Sequence, residues 1–211
     1  MPRLPPIPTI VVALAVAAML GLGAWQLERR QEKAEALRLY AANVAKPAIA
    51  FPRHPVGDAY LFRRAAALCL EVVGWRREGG RAAAGTTGWR QIAECRTGAE
   101  GPLLLVDIGV ARDPRARARW KGGPVSGVIA HAPDGRSLLA ALFDRRPRTL
   151  MLVADRPAAG LEASAPPRLE NVPNNHLAYA VQWFVFAAVA SVIYLLALRR
   201  RERARGAAPP A

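Results

Sequence analysis

The sequence predicts an α+β membrane protein, with two transmembrane helices flanking an antiparallel, β-rich domain. Three observations predict it. Two apolar runs, Ile10 to Leu27 and Tyr179 to Leu198, each approach the ~20 residues that a spanning helix needs. The stretch between them, roughly 150 residues, is long enough to bury its own core and holds no comparable run. Inside it, short apolar segments alternate with turn signals, the pattern of strands.

The elements follow in order. Pro2, Pro5, Pro6 and Pro8 hold residues 1–9 non-helical until the first span, residues 10–27. Ala13, Ala17 and Gly21 recur every four residues there, a small-residue ridge expected to face the second span. Good helix formers from Glu28 to Tyr40 carry the helix on, and Pro47 and Pro52 end it. Strands are expected at Leu68 to Trp75, Trp89 to Cys95, Leu103 to Val110, Val125 to His131, Ser137 to Phe143 and Thr149 to Ala154. Gly74, Gly79 and Gly80 read as a turn after the first of these, and Pro133-Asp134-Gly135 as another. The second and third read as a hairpin across Gly98 to Pro102. Ala111 to Trp120 is a short helix or an Arg-rich loop, and Pro157 to Pro173 an irregular return to the membrane. Short strands and turns make an antiparallel sheet or a small barrel over residues 28–178, ahead of the second span, 179–198.

Charge sets the orientation. The net charge is +14. Nearly all the cations are Arg and Ala is abundant, the bias of a GC-rich genome and the plainer reading of this charge. The arginines are scattered rather than gathered into a stripe with aromatic partners, which argues against nucleic acid, and membrane lipid is what the two spans meet. Arg199, Arg200, Arg201, Arg203 and Arg205 follow the second span, whereas Asn171 to Leu177 carry no cation. The positive-inside rule then puts the tail, 199–211, and the N-terminus in the cytoplasm and the domain in the periplasm of a bacterial inner membrane. Arg29, Arg30 and Lys33 after the first span argue the other way, but the second asymmetry is larger. A cleaved signal peptide is the rival reading; the weakly basic start and the lack of a clear A-x-A site before Trp25 count against it. Cys69 and Cys95 lack metal-site spacing; a disulfide and two buried thiols both remain open.

Chemistry concentrates at the two membrane mouths. GAWQLERRQEK (Gly23 to Lys33) closes the first span and PNNHLAYAVQWF (Pro173 to Phe184) opens the second. Polar and ionisable groups at such places are costly unless used. Asn174 or Asn175 can cap the second helix. His176, Tyr179 and Trp183 then share roughly one face, while Trp25, Arg29 and Lys33 step down the first helix. An antiparallel pair would gather aromatic surface, forked donors for carboxylates from Arg29 and Arg30, and a neutral imidazole able to ligate a metal such as haem iron. Interface belts of Trp and Tyr and a merely packed histidine are the plainer alternative. His54 and His131 read as solvated or packed. No Ser/His/Asp set, paired carboxylates, P-loop or H-E-x-x-H string is present, so catalysis is not expected.

The two strings resemble those of the Surfeit-locus-1 (Shy1-like) cytochrome c oxidase assembly family. The first pattern, G-x-W-Q-x-x-R-x-x-x-K, is carried by Gly23, Trp25, Gln26, Arg29 and Lys33. The second, N-N-H-x-x-Y-A-x-x-W-F, is carried by Asn174, Asn175, His176, Tyr179, Ala180, Trp183 and Phe184. Between them, Gly88-Trp89-Arg90 through Val106 to Val110 occupies the place of the family's hairpin, with Ile108 and Val110 standing where the family has Arg and Trp. Both substitutes suit strands.

The resemblance implies an inner-membrane assembly factor for haem-copper cytochrome c oxidase. It would act as a haem-a chaperone or insertion scaffold, with oxidase subunit I and other assembly factors as partners. His176 would be the axial metal ligand, Arg29 the propionate or helix-bridging partner, and Trp25, Tyr179 and Trp183 the aromatic walls. The alternative is a haem-free interaction scaffold that stabilises an assembly intermediate. A sensor receptor is disfavoured, because the short Arg-rich tail leaves no room for an output domain.

Overall fold

A computed structural model describes residues 5–52, 56–133 and 147–206. His54, the Asp134–Gly135 turn and the strand expected at Ser137 to Phe143 lie outside the described residues. The chain divides into two compact units: Met1–Ala36 with Pro173–Ala211, and Leu37–Val172.

The first unit is a helical hairpin of α1 (Pro6–Ala45), which runs on into the second unit, and α2 (His176–Gly206). Each holds a stretch apolar enough to cross a membrane, of which only 6% is buried within the protein, unlike the core helix of a soluble fold. The prolines delay α1 less than expected. Pro6 and Pro8 sit in its first turn, where the backbone N–H groups have no helical partner to lose. The first helical bond runs from Thr9 N–H to Pro5 O at 3.2 Å.

The less exposed residues of α1 are Thr9, Val12, Val16, Met19, Gly23 and Gln26; those of α2 include His176, Ala180, Trp183, Ala187, Ala190 and Tyr194. Both sets step by three and four residues, the seam of two helices packed side by side. Ala13, Ala17 and Gly21 are exposed instead, so the expected ridge is not the interface. A strict four-residue step drifts around the helix by about 40° each time, whereas alternating three and four keeps to one line. At Gly23 the close approach is real: a Cβ there would lie 2.5 Å from the Phe184 ring.

Among its described residues the second unit holds seven strands: β1 (Ile49–Ala50), β2 (Arg64–Cys69), β3 (Glu71–Arg81), β4 (Thr87–Arg96), β5 (Leu104–Ala111), β6 (Gly123–His131) and β7 (Leu150–Ala154). Their order in the sheet is β1-β2-β6-β7-β5-β4-β3. Antiparallel pairing, as expected, joins β2–β6, β6–β7, β5–β4 and β4–β3. The pairs β1–β2 and β5–β7 are parallel, so the sheet is mixed. The expected β4–β5 hairpin is present. Parallel pairing of β5 with β7 arises because the chain lays down β6 first and then returns to fill the place between. Of the stretch Ala111 to Trp120, Ala111 ends β5 and residues 112–120 are a loop.

One residue, Leu70, separates β2 from β3, although these strands lie near opposite ends of the sheet order. The sheet must therefore curl until its ends approach, as in a barrel. Leu70 N–H bonds Arg96 O at 2.9 Å at that corner, and a Cys69–Cys95 disulfide (Cα–Cα 5.2 Å) ties β2 to β4 there. The glycines expected to end the strand instead let it continue. Gly74 lies at a bulge, and Gly80 leaves room for the Arg90 side chain, which a Cβ would meet at 2.4 Å. The turn comes later, at Ala82–Thr86.

All eight residues of β5 are buried, and Ile92, Leu105, Ala132, Met151 and Val153 form a core cluster. Ile108 and Val110 are each 2% exposed, so the two departures from the family pattern are packed strand residues. Asp107 is fully buried. It accepts from Arg90 Nε at 2.7 Å, Ser164 Oγ at 2.7 Å and Gly109 N–H at 3.1 Å, which fills the lone pairs that make a buried carboxylate costly.

The last turns of α1 dock onto this domain. Asn43 donates to Ala59 O at 2.8 Å and Leu61 O at 3.1 Å. Tyr40 donates to Asp58 Oδ2 at 3.1 Å, and its ring meets that of Phe62, whose φ of 64° is left-handed. Burial, then the nearby Asp58 charge and its hydrogen bond, push the Tyr40 hydroxyl up to about 12.

Two predictions follow the packing. Replacing both Cys69 and Cys95 by Ser should lower stability by about 3.5 kcal/mol, the chain-entropy value for closing a loop of this length; urea unfolding followed by Trp fluorescence measures it. Tyr40 is neutral in the fold with a raised pKa. Its contribution is therefore complete below pH 10 and is lost as pH rises through about 12. Tyr40→Phe should abolish that alkaline loss, read by absorbance at the tyrosinate band.

Candidate functional site

The mouth of the hairpin gathers the groups of both strings. α2 begins at His176 because Asn175 takes the position before its first turn, its carbonyl accepting Tyr179 N–H at 3.3 Å. Asn174 does not cap: its Oδ1 is buried with no hydrogen-bond donor among the described residues.

His176 is half-buried on the seam, and its Nδ1 lies 2.7 Å from Gln26 Oε1 on α1. An amide oxygen only accepts, so Nδ1 carries the proton and donates. Among the described residues Nε2 has no hydrogen-bond partner. At the other end of the hairpin, the hydroxyls of Thr9 and Tyr194 bond across the same seam. The two cross-links are about 17 residues apart on α1 and about 18 on α2, roughly 26 Å along either axis, close to the thickness of a hydrocarbon core. The helices are thus antiparallel and in register, with polar contacts at both edges of the apolar stretch.

The other expected site residues sit around this bond rather than in it. Trp25 is 46% exposed, with the Arg29 guanidinium stacked on it at 5.5 Å. Arg29 also pairs with Glu32 at 2.7 Å, an exposed contact of little strength that leaves the guanidinium exchangeable. Tyr179 is 52% exposed. Trp183 lies half-buried on the seam, edge-on to Phe186 at 6.2 Å. Among the described residues no ring contact joins Trp25 to Tyr179 or Trp183. The structure therefore unites His176 with Gln26 and Trp25 with Arg29, and leaves Tyr179 and Trp183 as separate flat surfaces. Gln26 was part of the sequence string but held no role there. Its signal is the three-four spacing from Val12 through Gly23, which puts it on the seam. His131, read as solvated or packed, pairs with Asp58 at 2.7 Å.

Two helices apolar enough to cross a bilayer, with a separate β-rich unit between them in the chain, define a two-pass membrane protein. The SURF1 family matches residues 13–188, a span that includes both mouth strings and the whole β-domain. The chain belongs to this family, which is a family of cytochrome c oxidase assembly factors. None of the curated proteins matches.

The seam can be tested directly. Gly23→Leu should force Phe184 away, cost about 1–3 kcal/mol and open the helix pair by about 2 Å. Spin labels at the exposed positions Leu22 and Val185 would report the separation.

Proposed function

We propose that this protein is a haem-a chaperone or insertion scaffold for subunit I of cytochrome c oxidase, acting in the bacterial inner membrane without catalysis. The observation that carries the reading is the His176–Gln26 bond, which engages Nδ1 and leaves Nε2 without a hydrogen-bond partner among the described residues at a membrane mouth. The donor set fits haem a. Nε2 of His176 is suited to iron as an axial ligand. Arg29 has an exchangeable partner and a forked donor for a propionate. Trp25, Tyr179 and Trp183 offer flat apolar surface beside lipid, where a farnesyl tail would lie. Buried Asn174 Oδ1 is a further acceptor that a bound group can satisfy. Haem a itself supplies an iron centre with carboxylates and an apolar tail; here it is cargo.

In this reading both termini are cytoplasmic and the β-domain is periplasmic. The exposed Arg199, Arg200, Arg201 and Arg203 after the apolar stretch support that side for the C-terminus. The disulfide supports an oxidising compartment for the domain.

An absorption spectrum of detergent-purified protein from cells making haem a tests the proposal. Wild type should show a Soret band, and His176→Ala should lose it. Haem-free wild type from cells with ample haem a would contradict the proposal. If oxidase subunit I still co-purified with His176→Ala, the haem-free scaffold would take its place.

A further inference from the structure

We infer that Gln26 is a positioning residue for His176. It fixes the ring's tautomer and, being neutral, keeps the free nitrogen a weak enough ligand to release what it binds. The second half rests on the haem reading above; the first does not.

The first half follows from atoms on the page. An imidazole has two ring nitrogens, and in water its proton moves between them. Gln26 Oε1 stands 2.7 Å from Nδ1, and an acceptor at that distance holds the proton there. A donor at that place would reverse the tautomer and remove the lone pair from Nε2. Both side chains are half-buried on the helix seam, so the bond is sheltered from exchange with water. The register is fixed by Gly23, three residues before Gln26 and against Phe184, and by the Thr9–Tyr194 contact at the far end. Gln26 therefore meets His176 because the helices can pack in only one phase.

The second half concerns strength. Histidines that hold a metal donate the other N–H to a carboxylate, a backbone carbonyl or water, and of these the charged carboxylate pulls hardest on the proton and most raises the basicity of the ligating nitrogen. Here the acceptor is an amide. Along α1 the acidic residues nearest Gln26 are Glu28, which is exposed, and Glu32, which is engaged by Arg29 at 2.7 Å. Among the described residues no carboxylate hydrogen-bonds His176. A neutral acceptor aims the ring without strengthening it. That combination suits cargo that must be passed on: the ligand is oriented for capture and weakly enough bound for release.

The two halves are tested separately. For the first, nitrogen-15 NMR of histidine-labelled, haem-free protein reads the tautomer at His176. Wild type should show one protonated Nδ1 and one pyridine-type Nε2. Gln26→Leu should give a mixture of tautomers, and Gln26→Glu, which keeps the acceptor, should again hold the proton on Nδ1 in spectra recorded at a pH where the ring carries a single proton. A wild-type Nε2–H form, or a Gln26→Leu spectrum identical to wild type, overturns the inference.

For the second, protein loaded with extracted haem a is mixed with apomyoglobin as acceptor. Gln26→Glu should release haem at least about ten-fold more slowly, with its midpoint potential moved negative. Release and potential equal to wild type would overturn the weak-ligand half. Wild type that cannot be loaded would overturn both that half and the haem reading, and the NMR result would stand by itself.

Discussion

The hydrogen bond from His176 to Gln26 is the contact on which the candidate site depends. Two helices surrounded by lipid gain nothing by hiding apolar surface from each other, because the tails are as apolar as they are. What holds such a pair in one phase is close packing and the pairing of polar groups that lipid cannot satisfy. Here both act on one seam. Gly23 leaves room for the Phe184 ring and Ala180 is buried, while Gln26–His176 and Thr9–Tyr194 join the two ends. A sliding of one helix by a single turn, about 5.4 Å, would break both polar contacts at once. The seam thus fixes which nitrogen of His176 is free, and with it the chemistry available at this mouth.

The β-domain solves a different problem. An open sheet of seven strands leaves two edges exposed to pairing with other chains. This one runs β2 straight into β3, which brings its ends together, and locks the corner with Cys69–Cys95. Across the inner face Arg90, Asp107 and Ser164 form a satisfied polar cluster. It pins the returning segment that leads on to the second span. Tyr40 and Asn43 fasten the end of α1 to the same domain.

Much of this was legible in the sequence, for identifiable reasons. The spans, and the strands at Trp89 to Cys95, Leu103 to Val110 and Val125 to His131, follow from local runs whose period sets their structure. The mouth strings stood out because polar groups beside lipid are costly. Pairings between distant segments were not legible. Nothing local in Leu150–Ala154 says that it fills the gap between β5 and β6, which makes two neighbours parallel. Gly74 and Gly80 looked like punctuation; only the neighbouring Glu94 and Arg90 side chains show them as room within a strand. At the site, Trp25 and Arg29 drew notice as aromatic and cation, yet the helix face that meets His176 carries Gln26. The spacing of Ala13, Ala17 and Gly21 likewise carries residue size but not the phase of the seam, and these three residues are exposed.

Ligation through Nε2 of His176 is the claim on which the functional account turns, and chemical rescue addresses it most directly. His176→Gly removes the ring and leaves a space that free imidazole can enter. Protein of this variant, purified from cells making haem a, is predicted to lack the Soret band and to regain it when imidazole is supplied with extracted haem a. A His176→Gly protein that carries as much haem as wild type without imidazole would contradict the account.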